Sequence, residues 1–146
     1  MLLSRFAGFR HRFTTGEELA LMLWGAKRIA ERYGSLYACF TSGLKGSDDN
    51  VLPALSTFVR AFNVMAPGGR SSLLPSPKKG SACKRLNLFL RWMVRQDEVD
   101  PGGWSRVPAT KLIVPLDTHM HRICLLLDLT RRKQADMRTA LEITHV

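Results

Sequence analysis

One residue of this sequence that could do chemistry is an aspartate at the expected start of a helix. Asp117 follows the apolar run 112–114 and Pro115, and it precedes a helical pattern that contains Ile123 and Leu126. An aspartate in this position most often caps the helix by accepting a backbone N–H. The positive end of the helix dipole would also keep its carboxylate ionised, as a charge-stabilising catalytic group requires. Both interpretations of Asp117 stay open at this point.

A lysine is the second such residue. Ser81 is expected to cap a helix over residues 81–95, which places Lys84 in the first turn. The helix dipole disfavours an ammonium group there, and a nucleophilic amine needs to lose that charge. A lysine nucleophile beside an ionised Asp117 would suit attack on a sugar carbon whose transition state is positively charged. The alternatives are a phosphate contact or an ordinary surface charge for Lys84, and a simple cap for Asp117.

The histidines do not predict a metal site. His119 and His121 are two residues apart on an expected helix, so their side chains point to different sides. No cysteine or carboxylate completes a zinc set with them and His145. The sequence also lacks a phosphate-binding loop and a dinucleotide fingerprint. We therefore expect neither a metal ion nor a cofactor.

The composition predicts a basic globular domain. The 146 residues suit one domain, 1–146, and 22 Lys and Arg against 12 Asp and Glu give a net charge of +10. Such an excess favours a polyanionic partner: nucleic acid first, an anionic membrane surface second. A basic partner-binding fragment is the alternative. Three scattered cysteines and no signal peptide or membrane-spanning run indicate a soluble cytoplasmic protein.

The positive charge is concentrated in one region. Residues 67–96 contain seven basic residues and no acidic one. Lys84, Arg91 and Arg95 are expected to share one charged stripe of the helix over 81–95. Such a stripe is usually a solvated face, but this one has a single sign and continues a basic loop, which favours nucleic-acid contact. Trp104, in a glycine-rich loop, could stack on a base. The predicted contacts to nucleic acid are Lys78, Lys79, Arg85, Arg91 and Trp104.

Helical spacing of the apolar residues predicts an all-α fold, with no convincing run of strands. Thr15 and Glu18 have the spacing of a capping box. The predicted helices are 15–33, a short turn capped by Ser35, a helix from about 48–50 to Pro67–Gly69, 81–95, a turn over 108–111, 117–127, and a last helix capped by Thr130 with Met137, Ala140, Leu141 and Thr144 on one face.

Two motifs carry a resemblance to a known superfamily. The segment LDTHMHR at 116–122 resembles the V-D-T-H-x-x-R segment of the helix-hairpin-helix DNA glycosylases, such as endonuclease III and the adenine glycosylases. Their catalytic carboxylate matches Asp117. Upstream, they carry L-P-G-x-G-x-K-T-A, in which the lysine is the nucleophile of members that cleave the backbone. Leu74-Pro75 and the GSACK segment at 80–84 take the comparable place, so this lysine matches Lys84.

A closer match covers essentially the whole chain. The stretches GSACKRLNLFLRWMVR, PLDTHMHRI and ALEIT are similar to those of an uncharacterised bacterial protein family, whose members extend further at both ends. The segment is therefore expected to be incomplete at both ends. It departs from the glycosylases in the hairpin, where Ser76-Pro77-Lys78-Lys79 replaces Gly-x-Gly. The interval from Lys84 to Asp117 is longer than in endonuclease III and closer to that of the archaeal 8-oxoguanine glycosylases, and the iron–sulfur cysteines of endonuclease III are absent.

The resemblance implies a helical DNA glycosylase-like domain that acts on damaged duplex DNA. In that reading a damaged base is flipped out. Lys84 attacks the sugar to form a Schiff base, and Asp117 stabilises the cationic sugar and activates the lysine. A non-catalytic nucleic-acid-binding module of the same fold, or a partner-binding helical protein, are the alternatives.

Overall fold

The structure is a computed structural model that describes residues 2–65 and 73–146. It is mostly helical, so the predicted all-α class is confirmed, although two short strands were not expected. The helices are α1 (Leu2–Arg5), α2 (Gly16–Tyr33), α3 (Leu36–Ser42), α4 (Leu52–Met65), α5 (Lys84–Val94), α6 (Thr118–Leu126) and α7 (Met137–Thr144), with 3₁₀ turns at Pro77–Lys79 and Ala109–Lys111 and an antiparallel pair of strands, β1 (Arg10–His11) and β2 (Thr14–Thr15).

The predicted starts of α2 and α3 are confirmed. The Thr15 hydroxyl accepts the Glu18 backbone N–H at 3.2 Å, and the Glu18 carboxylate accepts the Thr15 N–H at 3.0 Å. This capping box satisfies two backbone donors that the first turn would otherwise leave free. Ser35 caps α3 by accepting the Ala38 N–H at 3.0 Å. Between the two helices, Gly34 adopts a φ of 85°, which a side chain would disfavour.

The core lies where α2, α3 and α4 meet α5 and the extended segment before α6. Its largest fully buried side chains include Phe40, Ile29, Leu55, Leu90 and Leu116. Each such burial contributes about 1.5–3 kcal/mol relative to exposure. Leu90 lies on α5, the helix that begins with Lys84, and Leu116 directly precedes Asp117. The same core therefore holds in place the two segments that carry Lys84 and Asp117.

The predicted start of α5 is wrong by two residues. The helix begins at Lys84, and Cys83 is its N-terminal cap residue with a left-handed φ of 49°. Ser81 instead accepts the Cys83 backbone N–H at 3.3 Å. That bond closes a local turn, so the hydroxyl of Ser81 serves the approach to the helix and not its first turn. Lys84 is therefore the first helical residue.

The predicted cap of the last helix is also wrong. Thr130 accepts the N–H of Arg132 two residues on, at 3.2 Å, and so closes a turn. The helix begins at Met137 after Asp136, whose carboxylate accepts the Thr139 N–H at 2.9 Å. The predicted end of α4 at Pro67–Gly69 lies outside the described residues. No helix in the described ranges is both long and apolar enough to cross a membrane.

Candidate functional site

The structure brings Lys84 and Asp117 together. The Lys84 Nζ lies 2.9 Å from the Asp117 Oδ2, which is the distance of a charge-assisted hydrogen bond. Both side chains remain accessible, with 45% of Lys84 and 34% of Asp117 exposed. The first helical residue of α5 and the residue that caps α6 therefore meet at the surface, where a ligand could reach both.

Lys84 is positioned by contacts made just before α5. The carbonyl of Gly80 accepts the Met137 N–H at 3.0 Å, and Ser81 forms an isolated bridge with Asp136. On the helix itself, the buried Asn87 donates from Nδ2 to the Ala82 carbonyl at 3.0 Å. These bonds hold the chain from both sides as it turns into the helix. Within this segment Cys83 has the left-handed backbone, and Lys84 follows it as the first residue of the helix.

Asp117 is positioned by its own helix and by the C-terminal segment. Its Oδ1 accepts the Met120 N–H at 2.8 Å, which confirms the predicted helix cap. Before it, the Val114 N–H donates to Thr144 of α7 at 3.1 Å. After it, the His121 ring Nε2 lies 2.7 Å from the Arg132 carbonyl, which ties α6 to the segment before α7. The C-terminal segment thus contacts the surroundings of both Asp117 and Lys84.

The surroundings of Asp117 keep its carboxylate ionised. They lower its pKa from 3.8 to about 2, mainly through the backbone N–H of Met120 and then through the hydrogen bond from Lys84. The charges of Lys84 and His119 act in the same direction, and partial desolvation opposes them. A carboxylate with so low a pKa is a weak proton acceptor near neutral pH. It is better suited to stabilising positive charge than to acting as a general base.

Two opposing influences act on the amine of Lys84. The N-terminus of α5 repels an ammonium group, and the carboxylate of Asp117 attracts it. A nucleophilic amine at Lys84 therefore stays a prediction.

The predicted phosphate contacts differ in their exposure and in their contacts with the rest of the protein. Lys78 and Lys79 are exposed on the 3₁₀ turn, and Arg85 is exposed at the start of α5. Lys78 also lines an open groove of about 390 Å³ along α4, together with Arg60. Lys84 and Asp117 do not line this groove.

Arg91 has a protein partner of its own. Its Nε donates to the Oδ2 of Asp100 at 3.1 Å, and Asp100 is only 1% exposed. Arg95 approaches the same oxygen at 3.7 Å. Because a buried carboxylate needs a positive partner, Arg91 has a structural role that the charge stripe did not indicate.

Trp104 lies in the core and not at the surface. Its residue is 8% exposed, and its ring lies 5.4–5.5 Å from the rings of Tyr37, Phe40 and Phe89. The faces of the ring are therefore occupied by protein side chains. We do not retain Trp104 as a base-stacking residue, because the glycine-rich loop that contains it folds back onto the core.

The sequence did not predict the burial of two polar residues, Asp100 and Asn87. Asp97 accepts the N–H groups of Val99 and Asp100 at 2.9 and 2.8 Å. The DEVD segment therefore forms a tight turn, and this turn buries Asp100. The spacing of aspartates before a Pro-Gly-Gly run was the available signal. Asn87 is buried on α5, and a polar residue within an otherwise apolar stripe could have identified it.

The described residues contain no group of three or more His, Cys, Asp or Glu side chains that could hold a metal ion. The three cysteines are buried thiols, and burial raises the pKa of Cys39 and Cys83.

Comparison with known families places the chain. The family model described as "Protein of unknown function (DUF2400)" matches residues 1–146. The chain belongs to this family. A search of curated proteins and a search of solved structures each gave no match. Family membership covers the whole chain but names no reaction, so the function must be argued from the surface on which Lys84 and Asp117 meet.

Proposed function

We propose that this domain binds DNA and acts as a base-excision glycosylase with lyase activity. Lys84 is the nucleophile, and Asp117 is the carboxylate that stabilises the cationic sugar. The observation that carries the proposal is the 2.9 Å contact between Lys84 Nζ and Asp117 Oδ2. A lysine and an aspartate from two separate helix starts are juxtaposed with both side chains accessible, as two groups that act on one substrate atom must be.

The proposed reaction begins when the uncharged amine of Lys84 attacks the C1′ carbon of a damaged nucleotide. The bond from C1′ to the base breaks, and the base leaves with the bonding electron pair and takes up a proton. Positive charge develops on the sugar as that bond weakens. The carboxylate of Asp117, with a pKa of about 2, is ionised and adjacent at that moment. The nitrogen now bonded to C1′ loses a proton, and its lone pair then forms a C=N bond as the C1′–O4′ bond breaks. O4′ takes the electron pair of that bond and a proton, so the sugar ring opens and a protonated Schiff base remains.

The low pKa of Asp117 refines the roles expected from the sequence. Asp117 is a poor base for removing a proton from Lys84, since its conjugate acid is much stronger than an ammonium ion. Lys84 is 45% exposed, so its proton can leave to water. The role of Asp117 in this proposal is therefore electrostatic. The exposed Lys78, Lys79 and Arg85 supply positive charge for the phosphates of the DNA.

Trapping with borohydride tests the proposal. The protein is mixed with oligonucleotide duplexes that carry an abasic site, uracil or 8-oxoguanine, and borohydride reduces any Schiff base to a stable covalent adduct. The wild type should give an adduct with at least one lesion, and Lys84→Gln should give none. Lys133→Gln is the matched control, because it removes an exposed lysine outside the proposed DNA contacts and should leave trapping intact. Asp117→Asn should slow trapping by about 100-fold or more.

Two results would refute the catalytic proposal. One is that no lesion gives an adduct; the other is that trapping persists in Lys84→Gln, which would show that an unspecific lysine reacts. DNA binding that depends on salt but shows no turnover, and that Asp117→Asn does not alter, would point to a non-catalytic nucleic-acid-binding module. Binding to a protein partner with none to DNA at low salt would point to the third alternative.

A further inference from the structure

A short β-hairpin near the N-terminus presents an exposed aromatic ring. The strands β1 and β2 pair through Arg10 with Thr15 and through His11 with Thr14, which leaves Arg12 and Phe13 at the tip. The Phe13 residue is 85% exposed. A ring that is exposed to this extent contributes little to the core, so it is free to contact a partner.

The hairpin is fixed to the body of the domain. The N–H of Gly16, the first residue of α2, donates to the Phe9 carbonyl at 2.8 Å. A side chain at Gly16 would collide with the backbone carbonyl of Phe6, so this close approach requires glycine. Thr15 ends β2 and also caps α2. The tip therefore projects from a helix start and does not belong to a free terminal tail.

A basic hollow lies between the hairpin tip and the start of α5. Its volume is about 170 Å³, and it is lined by His11, Arg12, Phe13, Thr14 and Arg85. No acidic residue lines it. In the described part of the chain, neither Arg12 nor Arg85 forms an ion pair with a carboxylate. Two guanidinium groups and an imidazole thus border a hollow that can admit a phosphate group. Guanidinium groups bind phosphate through paired N–H donors.

We propose that this hollow and the adjoining ring of Phe13 bind one unpaired nucleotide of a nucleic-acid strand. Arg12 and Arg85 hold its phosphate, and Phe13 stacks on its base. Binding of unpaired strands commonly combines a positive groove for the backbone with an aromatic side chain for the base. The inference shares nucleic acid as the partner with the proposed function, but it does not depend on lysine chemistry. Arg85, which lines the hollow, directly follows Lys84 at the start of α5.

The arrangement favours nucleic acid over the two other anionic partners. A free phosphate or polyphosphate would use the arginines but not Phe13. A membrane surface could use both, but one ring inserts much less apolar surface than stable membrane anchoring requires. Of these three partners, only a nucleic acid has a phosphate beside a flat apolar face, which matches the position of the hollow beside the ring.

Fluorescence anisotropy with an undamaged labelled oligonucleotide tests the inference. The single strand and its paired duplex are each titrated with the wild type, Phe13→Ala, Arg12→Ala and Arg85→Ala. Phe13→Ala should weaken single-strand binding by about fivefold or more, because one base loses its stacking partner. It should change duplex binding little, since paired bases already stack on one another. Phe13→Trp should keep the single-strand affinity.

The arginine variants should affect both forms of DNA. Each should reduce the slope of log affinity against log salt by about 0.7 on the single strand, which is the loss of about one phosphate contact. Two controls match the changes: Val99→Ala removes an apolar side chain from a residue that is 81% exposed, and Arg138→Ala removes an exposed charge on α7. Phe13 is so exposed that its alanine variant should keep the wild-type circular dichroism spectrum.

Several outcomes would overturn the inference. They are a wild type that binds no single strand at low salt, a Phe13→Ala that behaves like Val99→Ala, and arginine variants that behave like Arg138→Ala. Competition by polyphosphate without any effect of Phe13→Ala would leave only an anion site. Binding to vesicles of phosphatidylserine and phosphatidylcholine that needs Phe13, with DNA binding that does not, would indicate a membrane contact. Because the DNA is undamaged, failure of Lys84 trapping does not change these measurements, and their failure does not change the trapping result.

Discussion

Arg91→Ala should destabilise the folded protein, because Arg91 does more than offer a contact to DNA. Arg91 donates to the Oδ2 of Asp100 at 3.1 Å, and the Asp100 residue is 1% exposed. Its other oxygen, Oδ1, has no hydrogen-bond partner in the described part of the chain. The buried carboxylate therefore depends on Arg91 and, at the longer distance of 3.7 Å, on Arg95.

The structure sets the size of the effect. Removing one partner from a fully buried ion pair costs about 3–5 kcal/mol, because the remaining charge is left without compensation. Arg91 is 43% exposed, so water already screens part of the interaction. Arg95 also stays close to Asp100 in the variant. We therefore expect a loss of about 1–3 kcal/mol, which lowers the melting temperature by about 3–10 °C for a domain of this length.

Urea unfolding and thermal unfolding followed by circular dichroism measure this loss. Arg85→Ala is the matched control, because Arg85 is exposed on the same helix, and it should change stability by no more than about 0.5 kcal/mol. In Asp100→Asn, the further change to Arg91→Ala should cost less than it does in the wild type, since the charge to be compensated is gone. If Arg91→Ala is as stable as Arg85→Ala, the ion pair contributes nothing and Arg91 is free to contact DNA.

Two further predictions concern Asp117 and Trp104. Because folding lowers the pKa of Asp117 from 3.8 to about 2, its charge stabilises the fold above about pH 4, and this contribution disappears as the pH falls towards 2. Asp117→Asn should therefore have a lower urea midpoint than the wild type at neutral pH, and the difference between the two midpoints should narrow between pH 4 and 2. A difference in midpoint that is independent of pH would show that the charge of Asp117 is not its cause. Trp104→Ala should cost about 3–5 kcal/mol because it empties a site among three aromatic rings, whereas Trp104→Phe should cost less. A stably folded Trp104→Phe that binds DNA more weakly than the wild type would return Trp104 to the interface.

Features that depend on neighbouring residues could be predicted from the sequence. The capping box of Thr15 and Glu18, the cap at Ser35 and the cap at Asp117 are all present. In each, a side chain bonds a backbone group three residues away, so the interaction is complete within one turn. Such local bonds need little help from the rest of the fold.

The starts of α5 and α7 could not be predicted in the same way. Ser81 and Thr130 are good cap residues by type, but each closes a turn before its helix. The backbone near Ser81 is held by Met137, through the bond to Gly80, and this contact joins segments that are distant in the sequence. A pattern of residue types contains no information on such a contact until the fold is known.

The basic residues show the same limit. The sequence predicted that Arg85 and Arg91 both contact nucleic acid, and on the helix Arg85 is exposed and Arg91 is partly exposed. What distinguishes them is Asp100, whose burial depends on how the loop after α5 folds back onto the helix: the Gly102 N–H donates to the Trp92 carbonyl at 2.9 Å. Gly102 adopts a φ of 70° and lies against Gln96, so no larger residue would fit without strain. The sequence shows the charges but not their partners.

The two functions considered for Asp117, helix cap and charge-stabilising carboxylate, use different oxygens. Oδ1 accepts the Met120 N–H, and Oδ2 accepts a hydrogen bond from Lys84 Nζ, so neither contact excludes the other. Asparagine is as good a cap as aspartate but carries no charge. Asp117→Asn therefore removes the charge and keeps the cap, whereas Asp117→Ala removes both. If the two variants lose Schiff-base trapping equally while only Asp117→Ala shortens α6, the charge is what the reaction needs. If only Asp117→Ala loses trapping, the cap alone holds Lys84 and its partner in place, and the electrostatic role assigned to Asp117 is wrong.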